Sequence, residues 1–337
     1  MIALLMWMWV PFADAAGHRV LRSGESIESV AAEEGVDPVS IRSINGLAAD
    51  QTPPVGTILM LPETGTIEAQ QAQVLTVTGG GRITLPEGEV VALRCGVRME
   101  PGTVICTDVE SFATIRLASA RSGAVFDDIR MSGSTCLTLI STAAGDAAGR
   151  QSLVNLSEGS VQVDRAADDA GTITVQTPMS LTTARSGSFR VTMEEEAVRT
   201  EALTDNVVVM AEGEEVSLDA GEGSRVRSGD EPTAPVPLLD TGFLLKPDND
   251  TPLLRPDFAW TPVEQALGYR IQIATGPDFS RILYQEDLPY PEWRPDFLLL
   301  PFDVPALWWR VSSFDRFGFE SPPSAPRRLK VPTGVRP

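Results

Sequence analysis

Short stretches of alternating apolar and polar residues follow one another from residue 74 to about 230, separated by glycine, proline, aspartate or asparagine. Clear examples are residues 172–175, 188–193 and 216–218. Alternation with a period of two places one face of a strand in a core and the other in water, whereas a helix needs a period of about 3.6. The region therefore predicts an antiparallel β-domain, either a sandwich or a solenoid-like stack. Because this region is a large part of the chain, we expect the whole chain to be mainly β.

The length and charge of the chain limit its organisation and its partners. With 337 residues, the chain has room for two or three domains. Its 27 Lys and Arg residues are outnumbered by 46 Asp and Glu residues, which gives a formal charge of −19. Such a field repels phosphate groups, so we expect neither nucleic acid nor an anionic membrane surface as a partner.

The first residues have the pattern of an export signal. An apolar run over residues 2–12 precedes Ala13-Asp14-Ala15, a small-x-small pattern that signal peptidase recognises. The run is shorter than the roughly 20 residues of a membrane-spanning helix. We therefore predict a cleaved signal peptide at residues 1–16, a periplasmic mature protein and no membrane span after cleavage. Because no Lys or Arg precedes the run, an uncleaved anchor is the alternative.

Residues 17–63 predict a small βααβ domain of the α+β class. Strands are expected at residues 18–22 and 57–61, on either side of two short helices. Ser26 caps the first helix, whose apolar stripe contains Ile27 and Val30. Asp37-Pro38 begins the second helix, since aspartate is a good cap and proline is tolerated at the first helical position.

This stretch resembles the LysM domain, a module that binds N-acetylglucosamine polymers such as peptidoglycan. The family usually has aspartate where this chain has Glu25. The resemblance implies peptidoglycan as a partner and a shallow groove between the loop at residues 24–27 and the loop at residues 47–52. In the alternative interpretation, these residues serve the fold alone. The matching residues are Val20, Gly24, Glu25, Ser26, Ile27, Val30, Ala31, Gly35, Pro38, Ile41, Asn45, Gly46, Leu47, Gly56, Ile58, Leu59 and Pro62. The glycan-binding residues implied by the resemblance are Gly24, Glu25, Ser26, Ile27, Leu47, Ala48 and Asp50.

The β-domain at residues 74–230 resembles the FecR domain, named for a regulator of iron–citrate uptake in Gram-negative envelopes. Iron-responsive members have an anti-sigma segment and a spanning helix ahead of this domain, where this chain has a signal-like segment and a glycan-type module. We therefore expect a scaffold or sensor, with a periplasmic component of a FecR-type signalling system as the alternative. The matching segments, in the order of the family, are residues 102–107, Ser111, Ala113, residues 133–135, 156–161, 177–178, 187–191 and 220–223.

The C-terminal part predicts a second β-domain after a proline-rich linker at residues 231–255. Strands are expected at residues 258–260, 269–274 and 307–311. Residues 256–332 resemble a fibronectin type III sandwich, which implies spacing or contact with an unidentified envelope protein. The expected core is Trp260, Tyr269, Trp309 and Val311. Trp293 and Trp308 are expected in the core or at its rim, with stacking on sugars as the alternative.

The three cysteines suit an oxidising compartment. Cys95 and Cys106 flank a candidate turn at residues 99–102, and a hairpin there would place them opposite each other. We therefore hypothesise a Cys95–Cys106 disulfide with Cys136 buried, against the alternative of three unpaired core cysteines. The spacings match no zinc pattern, so no metal site is expected.

No motif in the sequence predicts catalysis. A Ser–His–Asp or Cys–His centre would need the single histidine, His18. Gly79-Gly80-Gly81 is not followed by a helical pattern, so it predicts a turn rather than a phosphate-binding loop. We predict a non-enzymatic protein without a cofactor. A glycan hydrolase that uses paired carboxylates is the remaining alternative.

Overall fold

The computed structural model describes residues 18–34, 38, 41–42, 47, 51–61, 72–118, 126–143, 151–165, 171–252, 257–295 and 306–331. The chain divides into two compact units, residues 1–65 and residues 66–337. Strands dominate the described residues, which confirms the prediction of a mainly β chain. Within the described ranges, no helix has the length and apolar character needed to cross a membrane. The predicted signal at residues 1–16 lies outside them.

The first unit contains β1 (His18–Val20), α1 (Ile27–Glu34) and β2 (Ile58–Met60). β1 and β2 pair in antiparallel fashion, so both predicted strands are confirmed with shorter bounds. Of the predicted second helix, Pro38, Ile41 and Arg42 are described and helical, and the other residues lie outside the described part. The buried core consists of Leu21, Ile27, Val30, Ala31, Ile41 and Leu59.

The second unit begins with a stack of seventeen strands, which confirms the period-two pattern. The predicted strands at residues 172–175, 188–193 and 216–218 correspond to β12 (Thr172–Gln176), β14 (Gly187–Met193) and β17 (Glu214–Leu218). The strands of the stack are β3 (Ala72–Thr78), β4 (Gly81–Thr84), β5 (Val90–Ala92), β6 (Arg98–Met99), β7 (Val104–Thr107), β8 (Phe112–Ala118), β9 (Phe126–Met131), β10 (Cys136–Ala143), β11 (Gln151–Arg165), β12 (Thr172–Gln176), β13 (Leu181–Ala184), β14 (Gly187–Met193), β15 (Ala197–Ala202), β16 (Val207–Ala211), β17 (Glu214–Leu218), β18 (Glu222–Arg227) and β19 (Val236–Pro237).

These strands form two layers that share a long strand, β11. The first half of β11 pairs with β10 and β12 in one layer, and the second half pairs with β9 and β14 in the other. The change occurs at Gly159, whose φ of 85° is in the left-handed region. A Cβ at this position would lie 2.3 Å from the Thr135 hydroxyl oxygen. Glycine is therefore required where the strand passes between layers.

The layers enclose one apolar core, as alternation along each strand predicts. Inward-facing residues such as Val161, Val163, Phe189 and Val191 are fully buried in it. Among the described ladders of the stack, β11–β12 is parallel and the others are antiparallel. The predicted antiparallel arrangement therefore holds for the stack apart from this one pairing.

The C-terminal part is built from a three-stranded and a five-stranded sheet. The four predicted core residues, Trp260, Tyr269, Trp309 and Val311, are all buried. Trp293 packs against this core, and its ring lies 5.3 Å from that of Phe258. The strands are β20 (Leu244–Lys246), β21 (Thr251–Pro252), β22 (Phe258–Trp260), β23 (Gly268–Ala274), β24 (Ile282–Leu288), β25 (Glu292–Trp293), β26 (Ala306–Phe314) and β27 (Arg327–Lys330).

The proline-rich segment at residues 231–252 adds strands to both parts of this unit. β19 pairs with β18 at the edge of the stack, and Leu238 donates a backbone hydrogen bond to Gly221. β20 pairs with β22, and β21 pairs with β27. The predicted linker is thus hydrogen-bonded along much of its described length.

Candidate functional site

The loop predicted to bind glycan is held by a carboxylate. Glu25 accepts hydrogen bonds from the backbone N–H of Arg22 at 2.9 Å and from the Arg19 guanidinium at 2.6 Å. These two bonds, the backbone one first, lower the pKa of Glu25. Gly24 precedes it with a φ of 86° and has open space around its Cα. Glu25 therefore closes this turn through both hydrogen bonds.

The next residues begin α1. Ser26 and Ser29 cap the helix reciprocally, because the backbone N–H of each donates to the hydroxyl oxygen of the other. The side chain of Ile27 is buried, and Leu47 packs against the same core. Of the predicted glycan-binding residues, Gly24 and Ser26 are exposed, whereas Ala48 and Asp50 lie outside the described residues. Contact of these residues with glycan stays a prediction.

A cavity of about 330 Å³ lies between the strand stack and the C-terminal sheets of the second unit. Val109, Glu110 and Ser134 line it and are exposed, so they mark the side that meets solvent. Glu201 and Glu320 also line it and are buried, at 1% and 5% exposure. The cavity therefore extends from an exposed rim to a buried, charged floor.

Glu320 is the centre of the charged floor. Its carboxylate accepts hydrogen bonds from the Arg270 guanidinium at 2.7 Å and the Ser312 hydroxyl at 2.6 Å. Arg190, on β14, lies 3.3 Å from the same carboxylate. Burial alone would raise the pKa of Glu320, but Arg190 and Arg270 outweigh it and lower the pKa. Glu320 is therefore an ionised anchor shared by both parts of the unit.

Arg270 joins this anchor to β24. It binds the Asp287 carboxylate with two hydrogen bonds of 2.7 and 2.8 Å, in addition to the bond with Glu320. Burial alone would lower the pKa of Arg270, but Glu320 and Asp287 outweigh it, so the pKa is raised. Arg270 therefore stays charged and its side chain is fixed between two carboxylates.

Glu201, on β15, has a different environment. One of its oxygens accepts a 3.3 Å hydrogen bond from the backbone N–H of Glu320, whereas the other is buried without a partner. Burial, only partly offset by Arg190 and Arg199, raises the pKa of Glu201 to about 7. Arg199, two residues earlier on the same strand, has a buried Nε without a partner. Other atoms of both residues line the cavity, whereas Glu201 Oε2 and Arg199 Nε are buried beneath its surface.

Side chains of the stack bind the backbone of the C-terminal part beside this cavity. The hydroxyls of Thr76 and Thr114 each donate a 2.6 Å bond to the carbonyl of Ser280. Arg130 donates a 2.8 Å bond to the carbonyl of Asp278. The two β-rich parts of the second unit are therefore joined by directional contacts as well as by charge.

No residue of this cavity was predicted from the sequence as part of a site. Its members come from segments more than 100 residues apart, such as Glu201 and Glu320, which are separated by 119 positions. The sequence feature that could have indicated the site is local and weak. Arg199 and Glu201 put two charges on one face of an otherwise apolar strand, a pattern that is uncommon where the strand is buried on both sides.

The predicted Cys95–Cys106 disulfide is wrong, and so is the alternative of three unpaired cysteines. Cys106 on β7 faces Cys136 on β10 and is bonded to it, with the Cα atoms 4.2 Å apart. Cys95 is a free, exposed thiol. The expected turn exists, since Thr103 donates to the carbonyl of Glu100, but its flanking strands do not pair. β6 joins one layer and β7 the other, so the turn crosses between layers instead of closing a hairpin.

No group of three or more His, Cys, Asp and Glu residues is arranged to hold a metal ion in the described ranges. The Gly79-Gly80-Gly81 segment is a tight turn between β3 and β4, as predicted. A Cβ on Gly81 would lie 2.4 Å from the carbonyl oxygen of Cys106. The segment therefore permits close packing of backbones and presents no helix N-terminus to a phosphate.

Comparison with solved structures gives matches of low overall similarity. A protein named as an anti-sigma factor from Parabacteroides distasonis has 16% identity and a TM-score of 0.33, covering 40% of this chain and 59% of that one. This chain thus spans less than two thirds of it. The FN1–FN3 domains of chicken CNTN1 have 9% identity and a TM-score of 0.20, covering 81% and 92%. The extracellular domain of the protein named as the hybrid two-component system BT4673 from B. thetaiotaomicron has 8% identity and a TM-score of 0.19, covering 82% and 60%.

Comparison with protein families gives a match inside the strand stack. No curated protein matches this chain. Residues 104–208 match the family described as FecR protein, and this range runs from the first residue of β7 into β16. The FecR part of the predicted resemblance is confirmed for these residues, whereas the LysM-like and fibronectin-like parts stay predictions. Similarity to FecR proteins is therefore shown for residues 104–208.

Proposed function

We propose that this chain is an exported, non-catalytic component of a FecR-type signalling system, held on peptidoglycan by residues 17–63. The observation that carries the proposal is the FecR match at residues 104–208. Those residues form the middle of the two-layer stack and provide Arg199 and Glu201 to the lining of the cavity beside the C-terminal sheets. A rigid stack joined by ionic contacts to a second β-rich part suits a sensor or scaffold that presents a surface to an envelope protein.

The signalling role is tested by transcription. Deletion of the gene should change transcription of the regulon of a neighbouring sigma factor, and the full-length chain supplied from a second locus should restore it. The matched control is the Glu195→Gln chain, whose substitution is at an exposed position in the turn after β14 and should restore transcription equally well. An unchanged transcript profile in the deletion strain would reject the signalling role.

Peptidoglycan binding is supported by the loops of the first unit. A neutral glycan needs hydrogen-bonding groups and apolar surface rather than charge, and Gly24, Ser26 and Thr52 are exposed in the two loops concerned. A single module of this size is expected to bind weakly, with retention arising from many sites on one polymer.

Sedimentation with insoluble peptidoglycan tests this binding on the full chain. We expect the wild-type chain in the pellet and the Thr52→Trp chain largely in the supernatant, because the new ring fills the loop region. Ala32→Trp is the control, since Ala32 is exposed on α1 and belongs to neither loop, and it should leave sedimentation unchanged. Complete recovery of the wild-type chain in the supernatant contradicts peptidoglycan binding.

The non-catalytic role is supported by the lack of a sequence motif for catalysis and by the single histidine, His18, on β1. The same incubation with peptidoglycan tests it. Soluble muropeptides should not accumulate over a long incubation with purified protein, while a glycan hydrolase added in parallel releases them. Release that depends on the concentration of this chain would instead establish the hydrolase alternative.

A further inference from the structure

One layer of the strand stack has two edges at which a strand has a neighbour on one side only. Its strands lie in the order β5, β4, β7, β10, β11, β12, β13, β16 and β17. Among the described residues, β5 pairs with β4 alone and β17 pairs with β16 alone. An edge strand presents unpaired backbone N–H and C=O groups, to which the edge of another chain can bind.

The outer edge of β5 is apolar and unprotected. On its inner side, Leu93 donates a backbone hydrogen bond to the carbonyl of Gly81. Because bonded and non-bonded positions alternate along an antiparallel ladder, the backbone groups of Val90 and Ala92 point away from β4. The side chain of Val90 is 61% exposed. β5 contains no proline or lysine, the residues that commonly protect such an edge.

The outer edge of β17 is acidic. A two-residue turn, with φ of 50° at Glu212 and 87° at Gly213, joins β17 to β16. The residues that flank a turn of this kind form a hydrogen-bonded pair, and bonded positions alternate from there along the ladder. The backbone groups of Glu215 and Ser217 therefore point away from β16, and both residues are exposed.

β5 and β17 run in opposite directions. Of the eight pairings that connect them across the layer, β11–β12 is parallel and the other seven reverse the strand direction. A second copy in the same orientation along the stack therefore offers its β17 antiparallel to β5 of the first copy. The register that aligns their outward backbone groups pairs Ala92 with Glu215 and Val90 with Ser217.

The side chains also match in this register. Val91 lies opposite Val216, and each already packs against the apolar core of its own chain. On the outer face, Arg82 is opposite Ala92 within the first copy, and Ala92 is opposite Glu215 of the second copy. The Cβ atoms of Arg82 and Glu215 are then separated by two strand spacings, about 10 Å. Their side chains can meet over the small side chain of Ala92.

Charge favours this pairing over the pairing of like edges. Two β17 edges would bring Glu214 and Glu215 of one copy beside the same residues of the other, and like charges on adjacent strands repel each other. β5 contains no acidic residue that could face Arg82 across two β5 edges. The β5–β17 pairing alone places opposite charges across the contact.

We propose that the partner at this edge is a second copy of the same chain, which adds its β17 to β5 and continues the sheet from one copy into the next. This head-to-tail contact leaves a β5 edge free at one end and a β17 edge free at the other, so further copies can add. Because the paired strands are short, the association is weak and depends on protein concentration. It is independent of the peptidoglycan binding proposed for residues 17–63 and of the signalling role.

Sedimentation velocity of the full chain tests the proposal, with Cys95→Ala as the background so that no disulfide between copies contributes. The average mass should rise as the concentration increases from micromolar to millimolar. Ala92→Pro and Ser217→Pro each remove an outward N–H, so each blocks one edge and keeps the hydrogen bonds within its own chain. Each variant alone should stay monomeric. An equal mixture should form dimers and nothing larger, because one free edge of each kind remains.

Charge reversal tests the register without a change in the backbone. Arg82→Glu and Glu215→Arg should each weaken association by about fivefold, and the double variant should recover the affinity of the background chain. Glu195→Arg is the control, since Glu195 is exposed in the turn after β14 and belongs to neither edge. It should leave association unchanged.

Four outcomes would overturn the proposal. The background chain may sediment as a monomer at every concentration. Dimers of Ser217→Pro alone or of Ala92→Pro alone would show that like edges pair. A monomeric mixture of these two variants, with the circular dichroism of the background chain retained in both, would exclude the β5–β17 contact. Failure of the double charge variant to associate more tightly than either single variant would exclude the register.

Discussion

The backbone N–H of Glu320 donates a 3.3 Å hydrogen bond to the carboxylate of Glu201, from the C-terminal part of the second unit to the strand stack. Both carboxyl groups are buried, yet their pKa values shift in opposite directions. Glu320 is surrounded by Arg190, Arg270 and the Ser312 hydroxyl, which stabilise its charge. Glu201 keeps an oxygen without a partner. This contact between the stack and the C-terminal part therefore contains one carboxyl group with a lowered pKa and one that titrates near neutral pH.

Glu201→Gln should change how stability depends on pH. Glu201 has a pKa of about 7 in the folded chain against an ordinary value of 4.5, so the folded state holds its proton across this interval while the unfolded state loses it. The free energy of unfolding therefore falls as pH rises from about 4.5 to above 7, by about 3 kcal/mol for this group. The Gln variant should lack this fall and be more stable than the wild type at pH 8.

Urea unfolding at several pH values between 5 and 8 measures this difference. Comparison with the wild type at each pH removes the effect of other charged groups near Glu201, among them Arg199 on the same strand and Arg190 and Glu320 on neighbouring elements. Glu320 has a lowered pKa, so its own contribution is lost only in more acidic solution. Glu195→Gln should track the wild type, because Glu195 is exposed. If the free energy of unfolding changes with pH in the same way for the wild type and for Glu201→Gln, burial does not raise the pKa of Glu201.

Loss of the Cys106–Cys136 disulfide should destabilise the second unit. The bond joins residues 30 positions apart, and closing a loop of that length in the unfolded chain corresponds to about 3–4 kcal/mol in the chain-entropy estimate. The free energy of unfolding of the Cys106→Ala/Cys136→Ala variant should therefore be lower by about 3–4 kcal/mol. The variant should unfold at a correspondingly lower urea concentration. Cys95→Ala is the control and should leave stability nearly unchanged, since Cys95 is exposed and free.

Alkylation followed by mass spectrometry checks the pairing directly. In the native, oxidised chain, iodoacetamide should modify Cys95 alone, and after reduction in denaturant it should modify all three cysteines. A peptide pair that contains Cys95 linked to Cys106 would restore the pairing suggested by the sequence.

The disulfide shows which parts of this fold can be read from sequence. Alternation gave the strands, and the turn at residues 99–102 was placed correctly, because both depend on neighbouring residues. The partner of Cys106 depends on which layer each flanking strand joins. β7 pairs with β10, about 30 residues later, and no local pattern reports that choice. Layer assignment is a property of the whole stack.

The cavity was unpredictable for the same reason. Glu201 and Arg270 lie on different sheets, and burial of each charge becomes acceptable only when the other residues of the network are present. The first unit gives the contrasting case. Its strands and the start of α1 were predicted because Ser26 and the apolar stripe act within one or two turns of chain.

A fully buried ion pair in the stack should be more sensitive to substitution than a half-buried pair beside it. Arg165 donates a 2.9 Å bond to Asp127, and both side chains are fully buried. Asp127→Ala removes the hydrogen-bonded carboxylate from a fully buried guanidinium, so it should lower the free energy of unfolding by about 3–5 kcal/mol. Asp128 pairs with Arg116 through two 2.7 Å hydrogen bonds, but both side chains are only half-buried, so water can replace the lost contact and Asp128→Ala should lose about 1 kcal/mol. Equal losses in urea unfolding would contradict the assigned burial.

Gly159→Ala should separate a steric requirement from a conformational one. Gly159 and Gly88 have nearly the same φ, 85° and 89°, but a Cβ at Gly159 would lie 2.3 Å from the Thr135 hydroxyl oxygen, whereas one at Gly88 meets nothing within 4 Å. The left-handed conformation alone costs about 1–2 kcal/mol for alanine. Overpacking at Gly159 adds about 1–3 kcal/mol. Gly159→Ala should therefore reduce the free energy of unfolding by about 2–5 kcal/mol, clearly more than Gly88→Ala. If the two variants unfold at the same urea concentration, β11 does not pass between the layers at this glycine as closely as the structure describes.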